Sequence, residues 1–168
     1  MSGLNNIRKG QTAVEMLFIL GVILAGIVVV VPVYTQQSSD SVTLTAIRDA
    51  SSQAAAYINM GVVSSDTSYA PLNEVINNYT GYSNVGFRFV GLEVLSENST
   101  SLVVAVKFEH DLPPNSTRDG KIALAIGEFL KGYLGGIHGF TLRNGHLYTD
   151  NRLLKFNVTV GETWEVVS

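Results

Sequence analysis

The chain has 168 residues, of which 46% are hydrophobic and 15% are charged, and its formal net charge at pH 7 is −3. This mild acidity leaves no basic stripe that could neutralise phosphates, which argues against a nucleic-acid partner. The absence of cysteine excludes disulfides, thiolate metal sites and thiol chemistry. The length suits one anchor and one globular domain.

The first feature along the chain is a basic pair followed by a long apolar run. Arg8 and Lys9 precede Gly10, and after Glu15 the next charged residue is Asp40. About 20 apolar residues span a bilayer core, so the run is predicted to cross a membrane. The two cations predict a cytoplasmic N-terminus. The run ends without a small-residue cleavage pattern, which argues against a conventional secretory signal peptide.

The helix is predicted to continue past the apolar run. Pro32 lacks a backbone N–H and should kink the helix. Beyond it, apolar residues recur near the helical period, and Gly61 is a candidate C-cap. These residues are Leu44, Ile47, Ala54 and Ile58.

Residues 8–15, RKGQTAVE, together with the apolar run, resemble the class III signal peptide of type IV pilin-like proteins. A mature chain that begins with glutamine, as this one would at Gln11, resembles the archaeal adhesion pilins. The resemblance implies cleavage between Gly10 and Gln11 by a prepilin peptidase. It also implies that Glu15 sets the register of assembly, paired with the new amine of Gln11 in the same or a neighbouring subunit.

The implied organisation is a leader (1–10), a long helix that is first a transmembrane segment and then a filament core (11–60), and a β-rich extracellular domain (61–168). The implied function is that of a structural pilin subunit in a cell-surface filament used for adhesion. The implied partners are further copies of the chain, the prepilin peptidase, an assembly ATPase and a membrane platform protein. Before assembly, the precursor would lie in the cytoplasmic membrane.

Several other interpretations remain open. TadE-like pseudopilins share the Gly-x-x-x-Val-Glu pattern, so the chain could be a minor pilin or pseudopilin that primes a filament or binds a ligand without polymerising. A plain single-span anchor is another reading, with Glu15 reaching the membrane interface. A soluble enzyme domain on a stalk is a third.

The second part of the chain predicts mostly strands. Alternating residues indicate strands at 85–96, 101–110 and 152–160, a hairpin around Asn144-Gly145, and a turn at Gly161-Glu162 leading to a final strand. Helices are predicted at 71–79 and 121–136, with a loop at 111–120. The predicted fold class is α+β. It combines a long N-terminal helix that has a hydrophobic first half with a mainly antiparallel β-rich domain that has one or two short helices.

No motif for catalysis, cofactors or metals stands out. His110, His138 and His146 lack metal-site spacing, and there is neither a phosphate loop nor a nucleophile elbow. The chain is therefore predicted not to be an enzyme and to need no cofactor.

Four N-x-[ST] sequons make their asparagines candidates for N-glycosylation: Asn78, Asn98, Asn115 and Asn157. Asn98 and Asn115 fall in predicted loops, and Asn157 falls at an outward position of its strand. The alternative reading of each sequon is an unmodified polar segment.

Overall fold

The computed structural model describes the backbone of residues 3–161 and 163–167 and the side chains of residues 14–28 and 40–161. The chain divides into two units, Met1–Val42 and Thr43–Ser168. Helix α1, Gly3–Met60, supplies most of the first unit and the beginning of the second.

The second unit contains two further helices, two short helical turns and six strands. In chain order they are a 3₁₀ turn (Thr67–Tyr69), α2 (Ala70–Val75), a π-helical turn (Ile76–Thr80), β1 (Arg88–Glu97), β2 (Ser101–Glu109), α3 (Ser116–Gly135), β3 (Phe140–Arg143), β4 (His146–Thr149), β5 (Arg152–Val160) and β6 (Thr163–Val167).

Strand β5 forms the centre of one mixed sheet. It runs parallel to β2, with Val104 opposite Phe156, and antiparallel to β4 and β6. The strand order is β1-β2-β5-β4-β3, and β6 pairs with β5 beyond the end of β4. Side chains of β5 are buried at every second position, because successive side chains point to opposite faces and the helices cover one face of the sheet.

The hydrophobic core lies between one face of this sheet and the helices. From α1 it receives Ile47, Ala54 and Ile58, which confirms the predicted helical spacing of these residues. From α3 it receives Ile122, Ile126, Phe129 and Leu130, and from the sheet Val104, Val106, Phe108, Phe156 and Val158. Each large side chain buried in this way stabilises the unit by about 1.5–3 kcal/mol relative to exposure.

Two local turn predictions are confirmed. Helix α1 ends at Met60, and Gly61 follows with a φ of 63° and donates its N–H to the carbonyl of Ile58. Asn144 and Gly145 have φ angles of 52° and 80° between β3 and β4. Both angles suit the left-handed two-residue turn that the dipeptide favours.

The α+β class is confirmed, and four of the five strand pairings are antiparallel as predicted, but the prediction contained no parallel pair. The sheet is mixed, because β2 and β5 run parallel and are joined through α3 and the β3–β4 hairpin. Period-two alternation shows which side chains face inward, but it carries no information on strand direction, and β2 and β5 alternate in the same way that an antiparallel pair does.

The predicted fold class was wrong about the N-terminal helix. The apolar part of α1 that the structure describes with side chains covers 15 residues, 14–28, instead of a long hydrophobic first half. No helix in the described part of the chain offers an apolar segment sufficient to cross a membrane.

The helix predicted at 121–136 begins earlier and is not short. It spans 20 residues from Ser116, inside the segment that was predicted to be a loop. The side chain of Asn115 accepts a hydrogen bond from the N–H of Arg118 at 3.0 Å and caps the helix. The two prolines just before this cap favour a loop reading, but Asn115 marks where the loop ends.

Candidate functional site

Residues 14–28 of α1, called here the apolar stretch, present an unusual surface. Fourteen of these fifteen residues are apolar or glycine, and Glu15 is the exception. The large hydrophobic side chains of the stretch are between 51% and 73% exposed. A soluble monomer rarely leaves so large a contiguous apolar surface uncovered.

The exposure covers all sides of the helix. Consecutive residues from Met16 to Leu20 are all more than half exposed, and five consecutive residues of an α-helix point in directions about 100° apart. A shallow groove of about 440 Å³ runs past Gly21, lined by Val14, Leu17, Phe18, Val22 and Ala25. A Cβ atom added at Gly21 would meet nothing within 4 Å. Another helix could therefore approach closely at this point.

Several predicted site residues lie in α1 outside the described side chains. Arg8, Lys9, Gly10 and Gln11, which define the predicted cleavage site, belong to this group, and so does Pro32. The cleavage, the kink and the pairing of Gln11 with Glu15 therefore remain predictions. Glu15 itself is described, and it is exposed within the first turn of the apolar stretch.

The second unit contains a buried charge cluster of His110, Arg118 and Asp119. The Nε2 atom of His110 lies 3.1 Å from Oδ1 of Asp119, and Arg118 donates to the same oxygen from Nε at 3.0 Å and from Nη2 at 2.9 Å. The His110 and Asp119 side chains are 4% and 7% exposed. Nη2 of Arg118 also donates to the carbonyl of Pro113 at 2.6 Å. The cluster thus fastens the segment after β2 to the first turn of α3.

The cluster borders a cavity of about 370 Å³ but lacks the geometry of a catalytic triad. Nδ1 of His110 accepts the N–H of Leu112 at 3.2 Å. That nitrogen therefore carries no proton, and Nε2 donates its proton to Asp119. Because both ring nitrogens are engaged, His110 has no lone pair with which to activate the nearby hydroxyl of Ser116. The arrangement stabilises the fold.

The other two histidines do not form a metal site with His110. His138 is exposed, whereas Nδ1 of His146 is buried and has no hydrogen-bond partner. Among the described residues, no group of three or more metal-binding side chains lies close enough to hold an ion.

Three side chains outside the apolar stretch have shifted pKa values. Burial raises the pKa of Tyr69, whose ring packs on Tyr57 and Phe129. The N–H of Ser68 lowers the pKa of Asp66 by donating to its carboxylate. Exposed ion pairs with Asp111 and Glu109 raise the pKa of Arg88. Each shift reflects a local structural contact.

The four sequons occupy different environments. Asn98 lies in the exposed turn between β1 and β2, and Asn115 is the exposed cap of α3. Asn78 is exposed in the π-helical turn, but Thr80 of its sequon is 7% exposed. On β5, Asn157 is half-buried and Thr159 is 2% exposed.

Sequence reasoning missed the buried charge cluster. Its members are nine or fewer positions apart, but His110, Arg118 and Asp119 were assigned to a strand end and a loop. The sequence signal that could have revealed the cluster is Asn115 as a helix cap. A helix that begins directly after this cap has Arg118 and Asp119 together on its first turn.

Comparison with protein-family models, with curated proteins and with solved structures finds no match to this chain.

Proposed function

We propose that this chain is the structural subunit of an extracellular filament of the type IV pilin-like class, with adhesion as its role. The observation that carries the proposal is the apolar stretch, an α-helix whose large side chains are more than half exposed on every side. The second unit has its own buried core and would form the outer part of the filament.

The distribution of exposed residues favours a polymer over a dimer. One partner helix covers one face of its neighbour, because helices pack along a stripe of side chains. The apolar stretch exposes Phe18 at 73%, Leu17 at 70% and Ile19 at 53%, and these residues lie on different faces. Several neighbouring helices are needed to cover them, and a helical array of identical subunits supplies them.

Glu15 fits the same proposal. When the apolar stretch is surrounded by other apolar helices, a carboxylate within it is costly unless it is paired. Removal of residues 1–10 would create an α-amino group on Gln11, four positions before Glu15. Positions four apart lie on the same side of a helix, and an equivalent amine from a neighbouring subunit can serve as well. Such a pair would fix the axial register between subunits.

The remaining partners follow from this proposal. A prepilin peptidase would cut after Gly10, and an assembly ATPase and a membrane platform protein would add subunits to the filament. The proposed location is the cell surface.

The direct test combines N-terminal sequencing with one pair of substitutions. Filaments sheared from cells that make the protein should contain this chain beginning at Gln11. Glu15→Ala should still be processed, while the yield of filaments falls at least tenfold. Glu93→Ala, which removes an exposed carboxylate on β1, is the matched control and should leave the yield unchanged.

Three results would contradict the proposal or narrow it. A chain that retains Met1 in every cell fraction would contradict processing. Normal filament yield from Glu15→Ala would contradict the register role of the acid. A processed chain that is present at only a few copies per filament would identify a minor pilin or a priming pseudopilin instead of the main subunit.

A further inference from the structure

The four sequons differ in whether a modifying enzyme could reach them on the folded chain. We infer that the folded protein carries asparagine-linked oligosaccharide at Asn98 and Asn115 and that Asn78 and Asn157 remain unmodified. The inference rests on the proposed function, because the acceptor residues must be on the outer side of the membrane to meet the glycan donor.

The chemistry requires access to two groups in each sequon. Nδ2 of asparagine attacks the anomeric carbon of an oligosaccharide linked to a lipid phosphate. A carbon–nitrogen bond forms, and the carbon–oxygen bond to the phosphate breaks with its electron pair on the leaving oxygen. The proton lost from nitrogen passes to a base of the transferase. The hydroxyl at the third sequon position is the second group that the transferase must reach.

Asn98 meets both requirements. Residues 97–100 are exposed, and the side-chain oxygen Oδ1 of Asn98 accepts hydrogen bonds from the N–H and the hydroxyl of Thr100, both at 2.9 Å. The N–H of Ser101 donates to the same oxygen at 2.8 Å. These bonds hold the carboxamide beside the sequon hydroxyl and are all accepted by Oδ1. They therefore do not occupy Nδ2, the reacting atom.

Asn115 meets them in a similar way. Residues 113–117 are all exposed, so the carboxamide and the hydroxyl of Thr117 lie on the surface. The helix-capping hydrogen bond from Arg118 is accepted by Oδ1 of Asn115 at 3.0 Å. The segment that leads to Asn115 contains Pro113 and Pro114, which disfavour regular helix or strand structure there.

The other two sequons hide the hydroxyl. Thr80 is buried, and its Oγ1 donates to the carbonyl of Ile76 at 3.3 Å, so the hydroxyl of the Asn78 sequon is both covered and engaged in a hydrogen bond. On β5, Oγ1 of Thr159 and Oδ1 of Asn157 are both buried, and neither has a hydrogen-bond partner. Asn157 lies between Ala105 on β2 and Val166 on β6. Pairing on both edges of β5 prevents this segment from leaving the sheet without unfolding.

The experiment is intact-mass and peptide mass spectrometry on the protein purified from the cells that naturally make it. Wild-type chain should exceed the bare mature mass by two glycans. Thr100→Val and Thr117→Val should each lose one glycan, whereas Thr100→Ser and Thr117→Ser keep the sequon and should keep the glycan. Asn78→Gln should change the mass only by the substitution, and the peptide that contains Asn157 should have its unmodified mass.

Substitution of threonine is chosen because replacing Asn115 would also remove the cap of α3. A bare mass for the wild-type protein would overturn the inference. A glycan on Asn78 or on Asn157 would also overturn it, because it would mean that the folded structure does not select the modified sites. Bare chains in filaments that begin at Gln11 would leave the proposed function standing. Glycosylated chains that never enter filaments would overturn the proposed function and leave this inference standing.

Discussion

The apolar stretch and the core of the second unit are built from the same kinds of residue but have opposite exposure. Phe18 in the stretch is 73% exposed, and Phe129 in α3 is fully buried. The second unit covers its apolar residues with its own sheet and helices. The stretch has no such cover within the described chain. The contrast teaches that apolar content alone does not locate a core, because a core also needs elements of the same chain that can cover it.

The largest expected effect is a difference in unfolding free energy between alanine substitutions of Phe129 and Phe18. Phe129→Ala should lower the free energy of unfolding of the second unit by about 3–5 kcal/mol, because a buried aromatic side chain leaves a cavity. Phe18→Ala should leave this free energy unchanged while reducing filament yield. Chemical denaturation of the full chain in mild detergent measures the first quantity, and imaging of sheared filaments measures the second. Equal destabilisation by both substitutions would show that the apolar stretch is part of the folded core.

The next comparison concerns charge in the second unit. Asp119→Asn should cost about 3 kcal/mol of unfolding free energy, because Arg118, whose side chain is only 15% exposed, would lose its carboxylate partner. Arg88→Gln removes exposed ion pairs with Glu109 and Asp111, in which the side chains are 37–69% exposed, and should have no measurable effect. Denaturant midpoints of the two variants check this order. A larger loss from Arg88→Gln would contradict the stabilising role of the buried charge cluster.

Gly61 in the second unit and Gly21 in the apolar stretch are expected to respond differently to substitution by alanine. A Cβ on Gly61 would lie 2.5 Å from the carbonyl oxygen of Tyr82, and the φ of 63° disfavours any side chain. Gly61→Ala should therefore cost about 1–3 kcal/mol. At Gly21 the space is open, and Ala should favour the helix by about 0.5–1 kcal/mol. In a filament, however, a neighbour that packs closely at Gly21 would be displaced, so filament yield should fall. Filaments formed by Gly21→Ala at wild-type yield would exclude close packing at this position.

The smallest effect is expected at high pH. Because burial raises the pKa of Tyr69, the folded state holds the phenolic proton more tightly than the unfolded state does. This contribution to stability is complete below the unfolded value of about 10 and is lost as pH rises from there through the folded pKa. Tyr69→Phe should therefore make the fall in stability above about pH 10 less steep, as measured by denaturation at several pH values. Between pH 8 and 9 the difference between variant and wild type should be constant.

Local features of the fold could be predicted where a residue has a conformational preference of its own. The turn at Asn144-Gly145, the cap at Gly61 and the limits of β5 all follow from such preferences or from strict alternation. The parallel pairing of β2 with β5 could not be predicted, because it depends on contacts between segments far apart in the chain. The start of α3 was misplaced since the prolines outweighed the capping signal of Asn115.

The candidate site divides in the same way. The apolar stretch and Glu15 are evident from sequence, because one carboxylate among apolar residues is unusual without any structure. Which sequons are accessible is not evident, since all four share the same motif. Thr80 and Thr159 differ from Thr100 and Thr117 only in burial, which follows from the pairing of strands and the π-helical turn.

The central position of β5 also sets the timing of folding. The sheet lacks its centre until residues 152–160 have been synthesised, whereas the apolar stretch ends at residue 28. At about 5–20 residues per second, the interval between the two is roughly 7–26 s. Throughout this time the exposed apolar stretch precedes a domain that cannot yet complete its sheet. In the proposed filament subunit, the apolar stretch would therefore be made many seconds before a folded second subunit could cover it.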